Sequence, residues 1–243
     1  MFLFNFSDDY RENILNRVNS IIDMEQNKDK LKAVKREVYL LFKNNEKNEY
    51  TNPDWIFPNH FDIMSDLVKD MCDKYGGSVL ICELAVLLHD VGLVYKRENQ
   101  SSEGHEKRSI EYTKEILKKY EMPEDISKGV IECIVSTEKD EKGEPKSINA
   151  KILRTADILS QFISIHYFAK ASFFNNWNFF IEWVRDRVES CYSKISFEDE
   201  RKIAEPIRDY MLKAIELYDK YNKNYPLKEK EGEGEKDEPS KNN

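Results

Sequence analysis

Four histidines occur in the 243-residue chain, at positions 60, 89, 105 and 166, and one of them is followed directly by an aspartate. The pair His89-Asp90 ends an apolar stretch that reads CELAVLLHDVG. A carboxylate in such surroundings costs several kcal/mol unless it is neutralised, hydrogen-bonded or coordinated. Neighbouring helical positions lie about 100° apart around the axis, so an adjacent imidazole and carboxylate can reach one ion over the helix flank. His60 lies upstream in PNHFDIM, and Asp157 lies downstream in AKILRTADILSQF, another strongly apolar segment. Two imidazoles and two carboxylates from three segments form a mixed nitrogen–oxygen set suited to Mn²⁺, Fe²⁺, Ni²⁺, Zn²⁺ or Mg²⁺. Each residue also has a plainer reading. His89-Asp90 can be a buried hydrogen-bonded pair, His60 a solvent-facing residue at a helix start, and Asp157 the partner of Arg154 at i−3.

The elements that must carry these residues are helical. Ile14, Leu15, Val18, Ile21 and Ile22 form one stripe over Asp8 to about Met24, and Leu31, Val34, Val38, Leu41 and Phe42 repeat it. Asn44 to Pro58 reads as a connector. Helical periodicity resumes from His60 to Tyr75 and is closed by Gly76-Gly77. Ser78 then opens Val79 to Val91, apolar nearly all round, which predicts a buried central helix. Gly92 to Gly104 reads as a polar loop. Further helices are predicted over Glu106–Tyr120, Glu124 to about Val135, Ile148–Phe174, Trp177–Tyr192 and Phe197–Tyr221. Eight Gly and 7 Pro in the chain argue against an all-β fold of many tight turns, so the expected class is all-α.

Composition narrows the function. With 38 Lys+Arg against 46 Asp+Glu the formal charge is −8, which disfavours nonspecific nucleic-acid or anionic-membrane binding. Cysteines at 72, 82, 133 and 191 show no CxxC spacing and read as reduced, buried thiols. No apolar run approaches the roughly 20 residues of a membrane span, and the start MFLFNFS lacks a basic n-region, so a cytoplasmic protein is expected.

The order His60, His89-Asp90, Asp157 resembles the HD-domain superfamily of metal-dependent phosphohydrolases. That family shows a histidine, a His-Asp pair ending an apolar helix, and a distal aspartate. The similarity covers roughly residues 55 to 170 and extends to the wording CELAVLLHDVG and the following EGHEKRSIEYTKEIL. It implies an HD-type helical bundle, expected over 51–226 with extra C-terminal helices. Periodicity adds an N-terminal helical extension (1–50), and the tail 227–243, whose segment KEKEGEGEKDEPSKNN has no apolar residue, is expected to be disordered. The resemblance also implies that His60, His89, Asp90 and Asp157 hold one divalent metal ion, with Asp90 able to accept the proton of the attacking water.

Two departures from the family pattern shape the expectation. Relatives with two metals carry a further histidine near the place of Ser136, so a single ion is expected here, with Glu138 as the rival ligand. Relatives acting on guanosine alarmones carry an acidic pair soon after the His-Asp, where this chain has Val91-Gly-Leu-Val-Tyr-Lys96. His105 is a candidate for a phosphate oxygen or a leaving group, since its unperturbed pKa lies near neutrality. Lys96 and Arg108 are candidate phosphate clamps. His166 reads as a packing residue.

The expected activity is hydrolysis of a phosphorylated small molecule, a nucleotide or related phosphoester. A catalytically silent scaffold that binds a nucleotide or a protein partner is the alternative. Phe173, Trp177 and Phe180 share a helical face that reads as core or as the interface of a homo-oligomer.

Overall fold

In the computed structural model the described residues are 8–45, 51–95, 104–137, 143–164, 166–171 and 176–221. Helices dominate them, and none is in a strand. The chain divides into two compact units, residues 1–160 and 161–243, where the sequence reading places boundaries at 50 and 226.

The first unit begins with α1 (Asp8–Asn44), a single helix where sequence periodicity predicts two. The polar interruption Glu25-Gln-Asn-Lys-Asp-Lys30 contains neither Gly nor Pro, so nothing breaks the backbone ladder. Asn27 lies along the helix, its side chain donating to the Asp23 carbonyl at 3.0 Å. Among the described residues α1 contributes Val34, Val38 and Phe42, all in its second half, to the apolar core. The first-half stripe of Leu15, Val18, Ile21 and Ile22 is exposed.

The expected connector contains structure of its own. Asn52 caps α2 (Pro53–Ile56) by accepting from the Asp54 amide at 2.8 Å, and Pro53 occupies the tolerated first position. A π-helical turn, Phe57–Phe61, follows and leads into α3 (Asp62–Tyr75). Phe57 and Phe61 pack edge-on to Phe42 at 6.1 and 5.6 Å, which anchors that turn on α1. Gly76 ends α3 at φ 85°, a left-handed position that an L side chain rarely adopts.

Ser78 accepts from the Ile81 amide and opens α4 (Val79–Leu88). Leu80, Leu84, Ala85 and Leu88 are fully buried there, because α4 packs against α1, α3, α5 and α6. A 3₁₀ turn (Val91–Leu93), α5 (His105–Lys119), α6 (Glu124–Ser136) and α7 (Ile148–Ile163) complete this bundle.

In residues 161–243 the helices are α8 (His166–Ala171), α9 (Trp177–Ser193) and α10 (Glu198–Tyr221). The predicted continuous helix from 148 to 174 is therefore two, and α9 starts afresh under an Asn176 cap. Phe180 is buried and stacks on Trp183 at 6.2 Å, whereas Trp177 and Phe179 are exposed. Phe173, Lys96, Glu138 and the tail 222–243 lie outside the described residues. All four cysteines are buried with free thiols. Among the described residues no helix is long and apolar enough to cross a membrane.

Candidate metal centre

Three elements of the first unit bring their polar side chains to one point. His60 projects from the π turn, His89 is the C-cap of α4 with Asp90 next to it, and Asp157 lies on α7. The donor atoms of His60, His89 and Asp157 all lie within 4.8 Å of one another. The two Nε2 atoms are 3.2 Å apart, and His60 Nε2 is 3.6 Å from Asp157 Oδ1. Asp90 Oδ2 completes the group at 3.7 Å from His60 Nε2 and 3.5 Å from His89 Nε2. Ligands bound about 2.1 Å from a common ion sit roughly 3.0–3.5 Å apart in octahedral or tetrahedral arrangement, so this spacing suits one small divalent cation. Both imidazoles are buried, and each carboxylate side chain is 15 % exposed, which leaves an approach from solvent.

The outer contacts hold the rings in place. His89 Nδ1 lies 2.9 Å from the Val86 carbonyl, one turn back on its own helix. His60 Nδ1 lies 2.9 Å from Ser160 Oγ, and Ser160 Oγ donates to the Asp157 carbonyl at 2.7 Å. Sequence reasoning did not single out Ser160. Its signal was the spacing Asp157-x-x-Ser160, which puts the hydroxyl on the carboxylate's face of α7.

His105 heads α5 with Nε2 3.6 Å from Asp90 Oδ1 and Nδ1 3.4 Å from Glu106 Oε2. Burial alone would raise the Asp90 pKa, but the neighbouring His89, the hydrogen bond from His105 and the nearby His60 outweigh it and hold the carboxyl below its ordinary range. For His105 burial works toward a lower pKa, yet the contact with Asp90 prevails and raises it.

Gly92 makes this approach possible. A Cβ there would stand 1.8 Å from the His105 carbonyl oxygen and 2.7 Å from the Ser109 amide nitrogen. Without one, the Gly92 amide donates to Ser109 Oγ at 2.9 Å, and Arg108 Nε donates to the Gly92 carbonyl at 2.9 Å.

The structure places the other candidate residues as follows. Arg108, a candidate phosphate clamp, spends its Nε on the Gly92 backbone. Lys96 is outside the described residues. Arg154 is buried and donates to Glu144 at 2.7 Å and to the Gly143 carbonyl at 2.6 Å. His166 is buried in the second unit, its ring against Tyr167 at 5.5 Å.

Ser136 is a correction. Its buried hydroxyl reaches the Cys133 carbonyl at 2.6 Å and the Ala150 carbonyl at 3.1 Å. Ala150 lies two helical turns, about 10 Å, before Asp157 along α7. Ser136→His is therefore expected to overpack that contact at a cost of about 1–3 kcal/mol and to add no second ion. Thermal melting and elemental analysis of the variant check both parts; a gain of one ion per chain would return Ser136 to the metal centre.

A buried pair of imidazoles flanked by two carboxylates, set in a helical bundle, forms a cluster that could hold a metal ion. Residues 59–161 match the family model of the HD domain. A comparison with curated protein sequences returns no match. Among solved structures the chain is similar to an HD-superfamily hydrolase from Bacillus thuringiensis. The two share 18 % identity and a TM-score of 0.56, over 80 % of this chain and 98 % of that one. The likeness extends the shared fold beyond the matched segment.

Proposed function

We propose that this protein is a metal-dependent phosphohydrolase acting on a phosphorylated small molecule, a nucleotide or related phosphoester. The observation that carries the reading is the convergence of His60 Nε2, His89 Nε2, Asp90 Oδ2 and Asp157 Oδ1. A divalent ion held by these residues supplies a Lewis acid for a phosphoryl oxygen and brings the pKa of water toward neutrality.

The chain's own groups do the rest. Asp90 has one oxygen turned to the imidazole pair and the other to His105, which suits it to accept the proton of an attacking water. His105 is 35 % exposed in its side chain and stands on the open side of Asp90. From its place 3.6 Å from Asp90 Oδ1 it can hold a phosphate oxygen or return a proton to the leaving group. The match of residues 59–161 to the HD-domain family model and the fold shared with an HD-superfamily hydrolase support hydrolysis as the reaction.

The test is elemental analysis of protein purified without chelator, followed by phosphate release from nucleotides, cyclic nucleotides and simple phosphate esters. Close to one divalent ion per chain and turnover of at least one substrate class are expected. Metal-loaded protein that is inert across the panel, yet thermally stabilised by one nucleotide, would make it a binding scaffold. Protein that takes up no ion would overturn the reading.

A further inference from the structure

We propose that Ser160 is the positioning residue of this centre: it sets the tautomer of His60 and so turns the Nε2 lone pair of that ring toward the point that His89 Nε2 also faces. The inference rests on the metal-centre reading and adds to it the device that prepares the site.

Ser160 is completely buried, and its Oγ has a single proton. The Asp157 carbonyl, 2.7 Å away, can only accept, so that proton is committed to it. Toward His60 Nδ1, at 2.9 Å, the same oxygen is left to accept. The Nδ1 of His60 therefore carries the ring hydrogen, and its Nε2 presents a lone pair. His89 reaches the same state independently, because its Nδ1 donates to the Val86 carbonyl.

With both rings in this tautomer, two Nε2 lone pairs 3.2 Å apart and carboxylate oxygens at 3.5–3.7 Å would face one point suited to a cation. The hydroxyl also links the α7 turn bearing Asp157 to the π turn bearing His60, with Ser160 and His60 100 residues apart in the chain. One side chain thus orients an imidazole ligand and braces the backbone of a carboxylate ligand, the usual work of outer contacts in metal sites.

The tautomers are read directly from long-range ¹H–¹⁵N spectra of metal-free protein at about pH 8, where an ordinary imidazole is neutral. His60 is assigned by its disappearance in a His60→Gln sample. Wild-type protein is expected to show hydrogen on Nδ1 of His60. Ser160→Ala is expected to shift that population to Nε2 and to weaken Zn²⁺ and Mn²⁺ binding by about 10–100-fold. Ser160→Thr, which keeps the hydroxyl, is expected to hold the wild-type pattern. An Nε2-protonated His60 in the wild type, or an unchanged pattern in Ser160→Ala, would overturn the proposal. If calorimetry shows no Zn²⁺ or Mn²⁺ binding to the wild type, the metal reading fails, while the tautomer of metal-free protein still judges Ser160.

Discussion

Asp90→Ala is expected to lose bound metal and at least about a thousandfold in hydrolysis, while its far-ultraviolet circular dichroism stays that of the wild type. Asp90 Oδ2 faces His60 and His89 Nε2 at 3.7 and 3.5 Å, and Oδ1 faces His105 at 3.6 Å. Alanine removes one of the two carboxylates that balance a dication and also removes the proposed proton acceptor. A deficit of about 4 kcal/mol in transition-state stabilisation corresponds to roughly a thousandfold in rate. The helices survive because Asp90 lies beyond the end of α4, whose packing rests on Leu80, Leu84 and Leu88. Metal content by elemental analysis and phosphate release decide the matter. A variant that keeps the wild type's ion and turnover would remove Asp90 from the mechanism.

Gly92→Ala is expected to lower the melting temperature by about 6–12 °C and the activity by more than tenfold. The added methyl would meet the His105 carbonyl oxygen at 1.8 Å and the Ser109 amide at 2.7 Å. Both obstacles are backbone, so no side chain can swing aside. Relief requires α5 to move off the 3₁₀ turn, which stretches the Gly92–Ser109 and Arg108–Gly92 hydrogen bonds, both 2.9 Å. Overpacking together with those losses amounts to about 3 kcal/mol, and each kcal/mol lowers the melting point of a domain this size by about 2–4 °C. The same displacement carries His105 away from Asp90, so activity falls further than stability alone requires. A melting temperature within 2 °C of the wild type would show that α5 yields freely at this contact.

Local chemistry was legible in the sequence. All-round apolarity marked α4 as the central helix, Ser78 and Gly76 marked its surroundings, and His89-Asp90 stood out as polar residues that such a helix must justify. Side-chain spacing along a helix is set by the chain itself, so these features need no knowledge of what packs outside. The caps at Asn52 and Pro53 were equally local signals, and they show that part of the expected connector was already helical in its sequence.

Tertiary structure decided which face meets which neighbour, because periodicity defines a stripe without naming its partner. Leu15, Val18, Ile21 and Ile22 form as regular a stripe as Val34, Val38 and Phe42, yet only the latter are buried. Ser136 sits on an apolar helix near the expected ligand position, but the approach of α7 ties its hydroxyl to Ala150. Arg154 stands one turn from Asp157, and the chain's return through Gly143 and Glu144 supplies its contacts. Ser160 meets His60 across 100 residues. Hydrogen-bond direction and ring tautomer depend on atoms brought within about 3 Å of each other, and only the folded backbone supplies that proximity.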